Sequence, residues 1–261
     1  MCTLIVIHRR VPGAPLVVAA NRDEYFNRPA DGPALRPTPT GPVIAPLDLR
    51  AGGTWLGFGS QGVFAAVTNL RCQSPDPLRR SRGLLVFDAL AEESVVEAAE
   101  VLAALPERAY NPFNCLVADA ERAFLVTYRD APRARELEAG AHVIGNVDPQ
   151  IEEAPKVMRI QQGARRAAAL PRERVLDELA ALCREHGTGG GGLGDTCVHL
   201  GGYGTRSSTL LMLADSNRDS RFLFADGPPC SSDYEDYTSL LDEQSQWTGC
   251  AVGESAARIA T

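Results

Sequence analysis

The sequence contains no apolar run that approaches the roughly 18 residues needed to cross a membrane as a helix. It also contains no block of lysines or arginines, because the formal net charge of −7 is spread over both halves of the chain. These two absences argue against a membrane span and against a nucleic-acid-binding surface. With 261 residues, 44% hydrophobic and 23% charged, the composition is that of an ordinary soluble globular protein.

A secretory leader and a disulfide framework are also missing. Arg9, Arg10 and Pro12 interrupt the apolar start before a signal-peptide core can form, so we expect a cytoplasmic protein. The seven cysteines are odd in number and irregularly spaced, unlike the paired cysteines of small secreted domains. We therefore expect most of them to be reduced and buried.

The hydrophobic pattern predicts strands, helices, strands, helices and strands, in that order. The predicted strands cover residues 3–8, 16–20, 54–58, 63–68, 114–119, 124–128, a segment around Val143, 196–200, 208–214 and 221–224. The predicted helices cover about 81–105 with a break near Ser94, 155–169 and 172–186. Two groups of strands separated by helix pairs predict two antiparallel sheets packed face to face with helices outside, an α+β, four-layer αββα sandwich.

No internal repeat is visible, and we expect one domain over residues 1–261. Residues 29–46 contain six prolines and few apolar runs, which predicts an ordered loop over the surface. The glycine-rich segment 187–194 is typical of a linker. The tail after about residue 241 is weakly patterned, and we expect part of it to be disordered.

Cys2 is the most informative residue for chemistry. Cysteine is small enough for an aminopeptidase to remove the preceding methionine, which leaves a thiol and a free α-amine on one residue. Their reference pKa values are about 8.5 and about 7.7–8, so the amine can serve as base for the thiol near neutral pH. Taken alone, Cys2 is better explained as a small apolar residue that starts a buried strand.

Eight short motifs extend this observation over most of the chain. They are Met1-Cys2-Thr3, Asn21-Arg22-Asp23-Glu24, Gly52-Gly53-Thr54-Trp55-Leu56-Gly57, Thr68-Asn69-Leu70-Arg71, Ser81-Arg82-Gly83, Asn111-Pro112-Phe113-Asn114, Gly145-Asn146 and Tyr203-Gly204-Thr205-Arg206-Ser207-Ser208-Thr209. In this order the chain resembles the NRDE family (transport and Golgi organisation protein 2-like) from Met1 to about Phe224. That family resembles, more distantly, the cysteine branch of the N-terminal nucleophile (Ntn) hydrolases, penicillin V acylases and bile salt hydrolases. The resemblance implies their αββα fold.

The resemblance to these acylases also implies five catalytic residues. Cys2 matches the nucleophile, with its α-amine as base, and Asp23 matches the acid that holds amine and thiol in place. Asn69 and Asn146 match side chains near the oxyanion, where an amide donor contributes about 2.7–4 kcal/mol to transition-state binding. Arg206 matches an arginine whose charge favours the thiolate.

One position departs from the acylase pattern. The acylases carry a further arginine three residues before the aspartate, where this sequence has Ala20. Arg22 immediately precedes Asp23 and is a possible supporting residue, although neighbouring strand positions point to opposite faces. For Glu24, a structural ion pair at the strand end is the better interpretation.

Two other candidate sites are weaker. Cys183, His186, Cys197 and His199 offer a set of ligands typical of zinc, but the loose glycine-rich segment between them is poorly suited to orient four ligands. His8, His142 and His199 each offer a haem ligand, although lone histidines in or near strands are more often hydrogen-bonded structural residues. We therefore predict no metal site and no cofactor.

Two functions remain open from the sequence. The first is a cysteine Ntn amidohydrolase in which Cys2 attacks a linear amide of a small-molecule substrate. The second is a non-enzymatic carrier for a hydrophobic ligand such as haem or an acyl-CoA, in which Cys2 is dispensable. A purely structural partner of another protein is a third, weaker option.

Overall fold

The computed structural model describes residues 2–149, 154–187 and 192–247. Within these ranges it contains fourteen strands and five helices. The strands are β1 (Cys2–Val11), β2 (Ala14–Tyr25), β3 (Ala30–Thr38), β4 (Gly41–Asp48), β5 (Leu56–Gly59), β6 (Phe64–Asn69), β7 (Phe113–Ala118), β8 (Ala123–Tyr128), β9 (Pro132–Glu136), β10 (Gly140–Ile144), β11 (His199–Leu200), β12 (Tyr203–Leu213), β13 (Arg221–Ala225) and β14 (Glu235–Asp236). The helices are α1 (Arg82–Leu90), α2 (Val95–Ala103), α3 (Pro155–Ala167), α4 (Arg172–Arg184) and α5 (Ser239–Trp247).

The strands form two antiparallel sheets. The first has the order β10-β1-β2-β12-β13-β14, with β11 paired to the start of β12. The second follows the chain from β3 to β9. The first sheet therefore brings strands from both ends of the sequence together at its centre, where β2 lies between β1 and β12.

Three apolar layers join the two sheets and the helices. Leu4 and Leu116 pack between the sheets, Leu102 packs α2 against the second sheet, and Leu179 packs α4 against Ile5 on the outer face of the first sheet. Successive residues of a strand point to opposite faces, so Leu4 and Ile5 serve different layers. The observed architecture is the expected αββα sandwich.

The proline-rich passage 29–46 is not a surface loop, and that prediction is wrong. It forms β3 and most of β4, a hairpin at the open edge of the second sheet. Proline is tolerated on an edge strand because one side of the strand needs no ladder hydrogen bonds. Pro33 lies at a register shift between Asp31 and Ala34, and Pro37 lies opposite Pro42 beside the turn.

Other differences lie at the sheet edges and the carboxyl end. The charged edge strand β9 carries no alternating apolar pattern and was not expected from the sequence. β12 begins at Tyr203 rather than at residue 208, and only His199–Leu200 of the predicted strand 196–200 is a strand. The weakly patterned tail forms α5 up to Trp247, where Leu241 is buried, and residues 248–261 lie outside the described ranges.

The helices of the described chain are short. The longest, α3 and α4, have 13 residues each. Within the described ranges, no helix combines the length and apolar character needed to span a bilayer.

The six cysteines of the described ranges are free thiols. Cys115, Cys183 and Cys197 are buried, Cys72 and Cys230 are exposed, and Cys2 is half-buried. Three of these six cysteines are therefore buried, whereas we expected most of them to be buried from the sequence. Cys250 lies outside the described residues.

Candidate active site

Strand pairing at the centre of the first sheet assembles the site. Cys2 on β1 lies directly opposite Arg22 on β2, and Asp23 lies directly opposite Thr205 on β12. Directly opposed residues of antiparallel strands project from the same face. Cys2 therefore shares a face with Arg22, and Asp23 is the next residue of β2 beside this pair, so Cys2 and Asp23 are near one another although they are distant in sequence.

A cavity of about 500 Å³ opens at this point. Cys2, Arg22, Asp23 and Asn69 all contribute to its lining. The rest of the lining includes Trp55, the β4–β5 connection, the amino-terminal end of α1, the charged side chains of Glu24, Arg28 and Asp48, and residues between 76 and 80. Four of the residues singled out in the sequence therefore share one cavity.

Asn146 lies beside Cys2 at a second, smaller cavity of about 270 Å³, which Cys2 also lines. The backbone N–H of Cys2 donates to Oδ1 of Asn146 at 3.1 Å, and Nδ2 of Asn146 donates to the carbonyl oxygen of Asn69 at 2.6 Å. The nitrogen held by Asn146 is the one that removal of Met1 converts into an α-amine. This geometry makes Asn146 a holder of that nitrogen, whereas the resemblance assigned it to the oxyanion.

Asp23 is a buried acid with a perturbed pKa. Burial raises the pKa of its carboxyl from 3.8 to about 6, and the charge of Lys156 and a hydrogen bond from Thr205 oppose that rise. The Thr205 hydroxyl donates to Oδ1 of Asp23 at 2.7 Å. A carboxyl that changes charge near neutral pH in a cavity is characteristic of catalytic sites.

Lys156 is a site residue that the sequence reasoning missed. Burial lowers the pKa of its ammonium, while the charges of Asp23 and Cys2 raise it. Among the described residues, its Nζ has no hydrogen-bond partner. Composition contained a signal for it: Lys156 is the single lysine in a chain whose 26 lysines and arginines are otherwise all arginine.

The Cys2 thiol lies in a mixed electrostatic environment. Burial raises its pKa and the Asp23 carboxylate adds to this, whereas the backbone N–H of Asp23 and the guanidinium of Arg22 lower it. A raised pKa disfavours the thiolate, so a base must take the proton of the thiol before Sγ attacks a carbonyl.

Arg22 points into the cavity and not away from it. Its guanidinium lies 4.2 Å from the ring centre of Trp55. The side chain is 5% exposed, and burial lowers its pKa while the charges of Cys2 and Glu24 raise it. Because Arg22 lies opposite Cys2 in the β1–β2 ladder, it shares the face of Cys2.

Arg206 occupies a bulge of β12. The register against β2 shifts between Thr205, which pairs with Asp23, and Ser207, which pairs with Arg22. Its side chain is partly buried, and Nε makes no hydrogen bond among the described residues. Arg206 is therefore close to Asp23 along the backbone, but its side chain is not part of the cavity lining that contains Cys2.

Arg82, like Arg22, is a cationic residue in the lining of the cavity. It begins α1, where the Ser81 hydroxyl accepts from the backbone N–H of Gly83. Gly53 and Gly83 let α1 approach the β4–β5 connection, since a Cβ on Gly53 would lie 2.4 Å from the carbonyl carbon of Gly83. The motifs around Gly53 and Ser81 thus position Arg82 and the positive end of a helix at the cavity.

A cluster of ion pairs lies in the lining of the cavity. Arg28 donates to Oδ2 of Asp48 through Nε at 2.9 Å and Nη2 at 2.6 Å, and its Nη1 lies 3.7 Å from Glu24. Asp48 also accepts from the backbone N–H of Arg50 at 3.1 Å. Glu24 therefore has the structural role expected from the sequence.

The histidines weighed as haem ligands lie elsewhere. His8 is buried with Nε2 at 3.2 Å from the carbonyl oxygen of Asp119, and Nε2 of His142 lies 2.8 Å from the carbonyl oxygen of Glu138. His199 lies on β11. None of the three lines either cavity at Cys2 among the described residues.

The sequence matches a known family over most of its length. The family model described as Transport and Golgi organisation 2 covers residues 1–223. The chain belongs to that family. It is 26% identical over 230 residues to the "Transport and Golgi organization 2 homolog" of Mus musculus, covering 77% of this chain and 83% of that protein. It is 27% identical to the Bos taurus homolog, with 76% and 82% covered.

Solved structures show the same fold at low sequence identity. A Caenorhabditis elegans ortholog of N-acylethanolamine-hydrolyzing acid amidase has a TM-score of 0.58 and 11% identity, with 88% of this chain and 98% of that chain covered. A conjugated bile acid hydrolase from Clostridium perfringens has a TM-score of 0.52 and 12% identity, with 92% and 93% covered. Penicillin V acylase from Agrobacterium tumefaciens has a TM-score of 0.51 and 15% identity, with 91% and 86% covered. The αββα sandwich of this chain is therefore of the Ntn-hydrolase type.

Proposed function

We propose that this protein is a cysteine Ntn amidohydrolase that cleaves the C–N bond of a linear amide after removal of Met1. The observation that carries the proposal is the environment of Cys2. Its thiol shares a cavity with Asp23, and its backbone nitrogen is held by Oδ1 of Asn146. A nucleophile, a nitrogen that can become a base and a perturbed acid therefore meet in one place.

In the proposed reaction, the α-amine of Cys2 takes the thiol proton while Sγ attacks the amide carbon. The tetrahedral oxyanion collapses, the C–N bond breaks, and the departing amine takes the proton from the α-ammonium. Water then attacks the thioester with the α-amine again as base, which releases the acid and restores the thiol. The Asp23 carboxylate offsets the positive charge of the α-ammonium, and the charge of Lys156 favours that carboxylate by lowering the Asp23 pKa.

We assign to the Asn69 side chain the role of hydrogen-bond donor to the oxyanion. Asn69 lines the cavity beside Cys2, and its side chain makes no hydrogen bond within the described part of the chain. The amide of Asn146 is already engaged with Cys2 and with the carbonyl oxygen of Asn69. Asn146 thus acts as a positioning residue for the α-amine.

The two cavities favour a substrate with an anionic part and an apolar part. Six arginines and four carboxylates line the larger cavity, so positive charge is in excess. Of these arginines, Arg22 and Arg82 have no carboxylate within 4 Å among the described residues, and burial lowers the pKa of both. The helix start at Arg82 adds positive potential. The smaller cavity is largely apolar, with Val157 and Ile160 in its wall. We therefore propose an N-acyl amide whose amine half carries a carboxylate.

The test uses purified protein whose loss of Met1 is verified by intact mass. Hydrolysis is measured on N-acyl amides with and without a carboxylate on the amine half, matched in acyl chain. We expect turnover, preference for the carboxylate, and loss of turnover in Cys2→Ala and in a variant with one glycine inserted before Cys2. The exposed thiol Cys72, replaced by Ser, is the matched control and keeps the rate.

Two results would contradict the proposal. One is an unchanged rate in both Cys2→Ala and the insertion variant. The other is saturable binding of a hydrophobic ligand such as haem or an acyl-CoA that is the same in Cys2→Ala, with no turnover of any amide. The second result would favour the carrier function instead.

A further inference from the structure

A cluster of four metal-ligating side chains lies away from the cavities at Cys2. His186 follows the end of α4, Cys197 precedes β11, His199 begins β11, and Cys230 lies between β13 and β14. One ligand atom of each lies within 4.8 Å of every other. Cys197 is buried, and the other three side chains are exposed.

The distances in this cluster match a tetrahedral site. Sγ of Cys197 lies 3.6 Å from Sγ of Cys230 and 3.6 Å from Nε2 of His199, and Nε2 of His199 lies 3.2 Å from Sγ of Cys230. Zinc with Zn–S of about 2.3 Å and Zn–N of about 2.0–2.1 Å needs separations of about 3.8 Å between sulfurs and about 3.5 Å between sulfur and nitrogen. The three atoms therefore form one face of the tetrahedron.

His186 completes the set. Its ring centre lies 5.0 Å from that of His199, and it approaches from a different segment. The set is not the one considered from the sequence. Cys183 packs on the buried face of α4 against the first sheet, and Cys230, which is 33 residues from Cys197, takes its place.

We propose that His186, Cys197, His199 and Cys230 bind one Zn²⁺ ion. Two thiolates and two imidazoles are the donors that zinc prefers, and they disfavour calcium and magnesium, which take oxygen ligands. Four protein ligands leave no open position, so the site is structural. Binding at neutral pH displaces the protons of the two thiols to the solvent.

Hydrogen bonds connect the proposed metal site to Thr205, the residue that contacts Asp23. Between the ligands Cys197 and His199, the Val198 N–H donates to the Thr205 hydroxyl at 2.9 Å, and the Val198 carbonyl oxygen accepts from the Thr205 N–H at 2.9 Å. The same hydroxyl donates to Asp23. None of its four ligands lines a cavity at Cys2, so metal binding can be measured separately from the proposed hydrolysis.

The test loads reduced, chelator-treated protein with Co²⁺ and then with Zn²⁺. We expect one Co²⁺ per chain with the strong visible absorption of tetrahedral cobalt and a thiolate-to-cobalt charge-transfer band, both removed by Zn²⁺. The exposed ligand variants Cys230→Ser and His199→Ala should weaken Zn²⁺ affinity at least about tenfold. The matched controls Cys72→Ser and His142→Ala, whose side chains lie outside the cluster, should bind as the unchanged protein does.

Three results would overturn the proposal. The first is no stoichiometric cobalt or zinc uptake by the reduced, folded protein. The second is equal affinity in the unchanged protein, in Cys230→Ser and in His199→Ala. The third is a disulfide between Cys197 and Cys230, mapped by mass spectrometry, that persists in protein purified under reducing conditions.

Discussion

Replacing Asp23 with Asn should stabilise the protein at neutral pH although it removes a residue of the proposed site. Burial raises the pKa of Asp23 from 3.8 to about 6. An acid whose pKa rises on folding favours the folded state most below its unfolded pKa, and this contribution is lost as pH rises through 6. Above pH 7, keeping Asp23 ionised therefore costs about 3 kcal/mol, since one pKa unit corresponds to about 1.36 kcal/mol.

Asn is the suitable replacement because it has the same shape and never ionises. Its Oδ1 still accepts the hydrogen bond that Thr205 donates at 2.7 Å. Packing effects of the substitution are the same at every pH, whereas the electrostatic effect is not. The stability of Asp23→Asn relative to the unchanged protein should therefore rise by about 2 kcal/mol between pH 4.5 and pH 7.5.

Urea unfolding followed by tryptophan fluorescence measures this difference at the two pH values. The matched control is Asp177→Asn on α4, where the carboxylate is 79% exposed and forms only a surface pair with Arg174 at 3.9 Å. Its free energy of unfolding should differ from that of the unchanged protein by less than about 0.5 kcal/mol at both pH values. A relative stability of Asp23→Asn that is the same at both pH values, or lower at pH 7.5, would refute the reasoning.

Four further outcomes are expected. Lys156→Met removes a charge that lowers the Asp23 pKa, so the acidic limb of the pH–rate profile should move to higher pH. Arg22→Leu removes a charge that lowers the Cys2 pKa and should slow alkylation of Cys2 at pH 7.5, measured by intact mass. Leu116→Ala between the sheets should lower the free energy of unfolding by about 2–5 kcal/mol in urea titrations. Ser94→Ala removes the N-cap that accepts from Glu97 and should cost about 1 kcal/mol in the same assay.

The sequence was most informative where a pattern repeats locally. The 3.6-residue period predicted two helices within about 81–105, and the structure has them, starting at Arg82 and Val95, although α1 already ends at Leu90. The prediction from sequence missed the strands β3 and β9, because an edge strand needs no regular apolar pattern. Edge strands satisfy only one side of their backbone through the sheet, so proline and charge are compatible with them.

The candidate site could be predicted only in part. Cys2, Asp23 and Asn69 were selected through motifs, and the structure brings all three to one cavity. Asn146 is also beside Cys2, but the direction of its amide depends on atoms that no motif specifies. Lys156 was missed because a single lysine on a helix has no motif, although its rarity in this composition was visible.

The sequence by itself determined the layers of this protein, because the alternation of apolar residues along strands and helices specifies which faces must be buried. It also determined that Cys2 follows Met1. Only the tertiary structure decided which charged groups surround that cysteine, and only it brought Cys230 to His186, Cys197 and His199. The reason is physical: pairing between strands and the approach of loops bring together residues that are far apart in the chain, and the local pattern of a sequence carries no record of such distances.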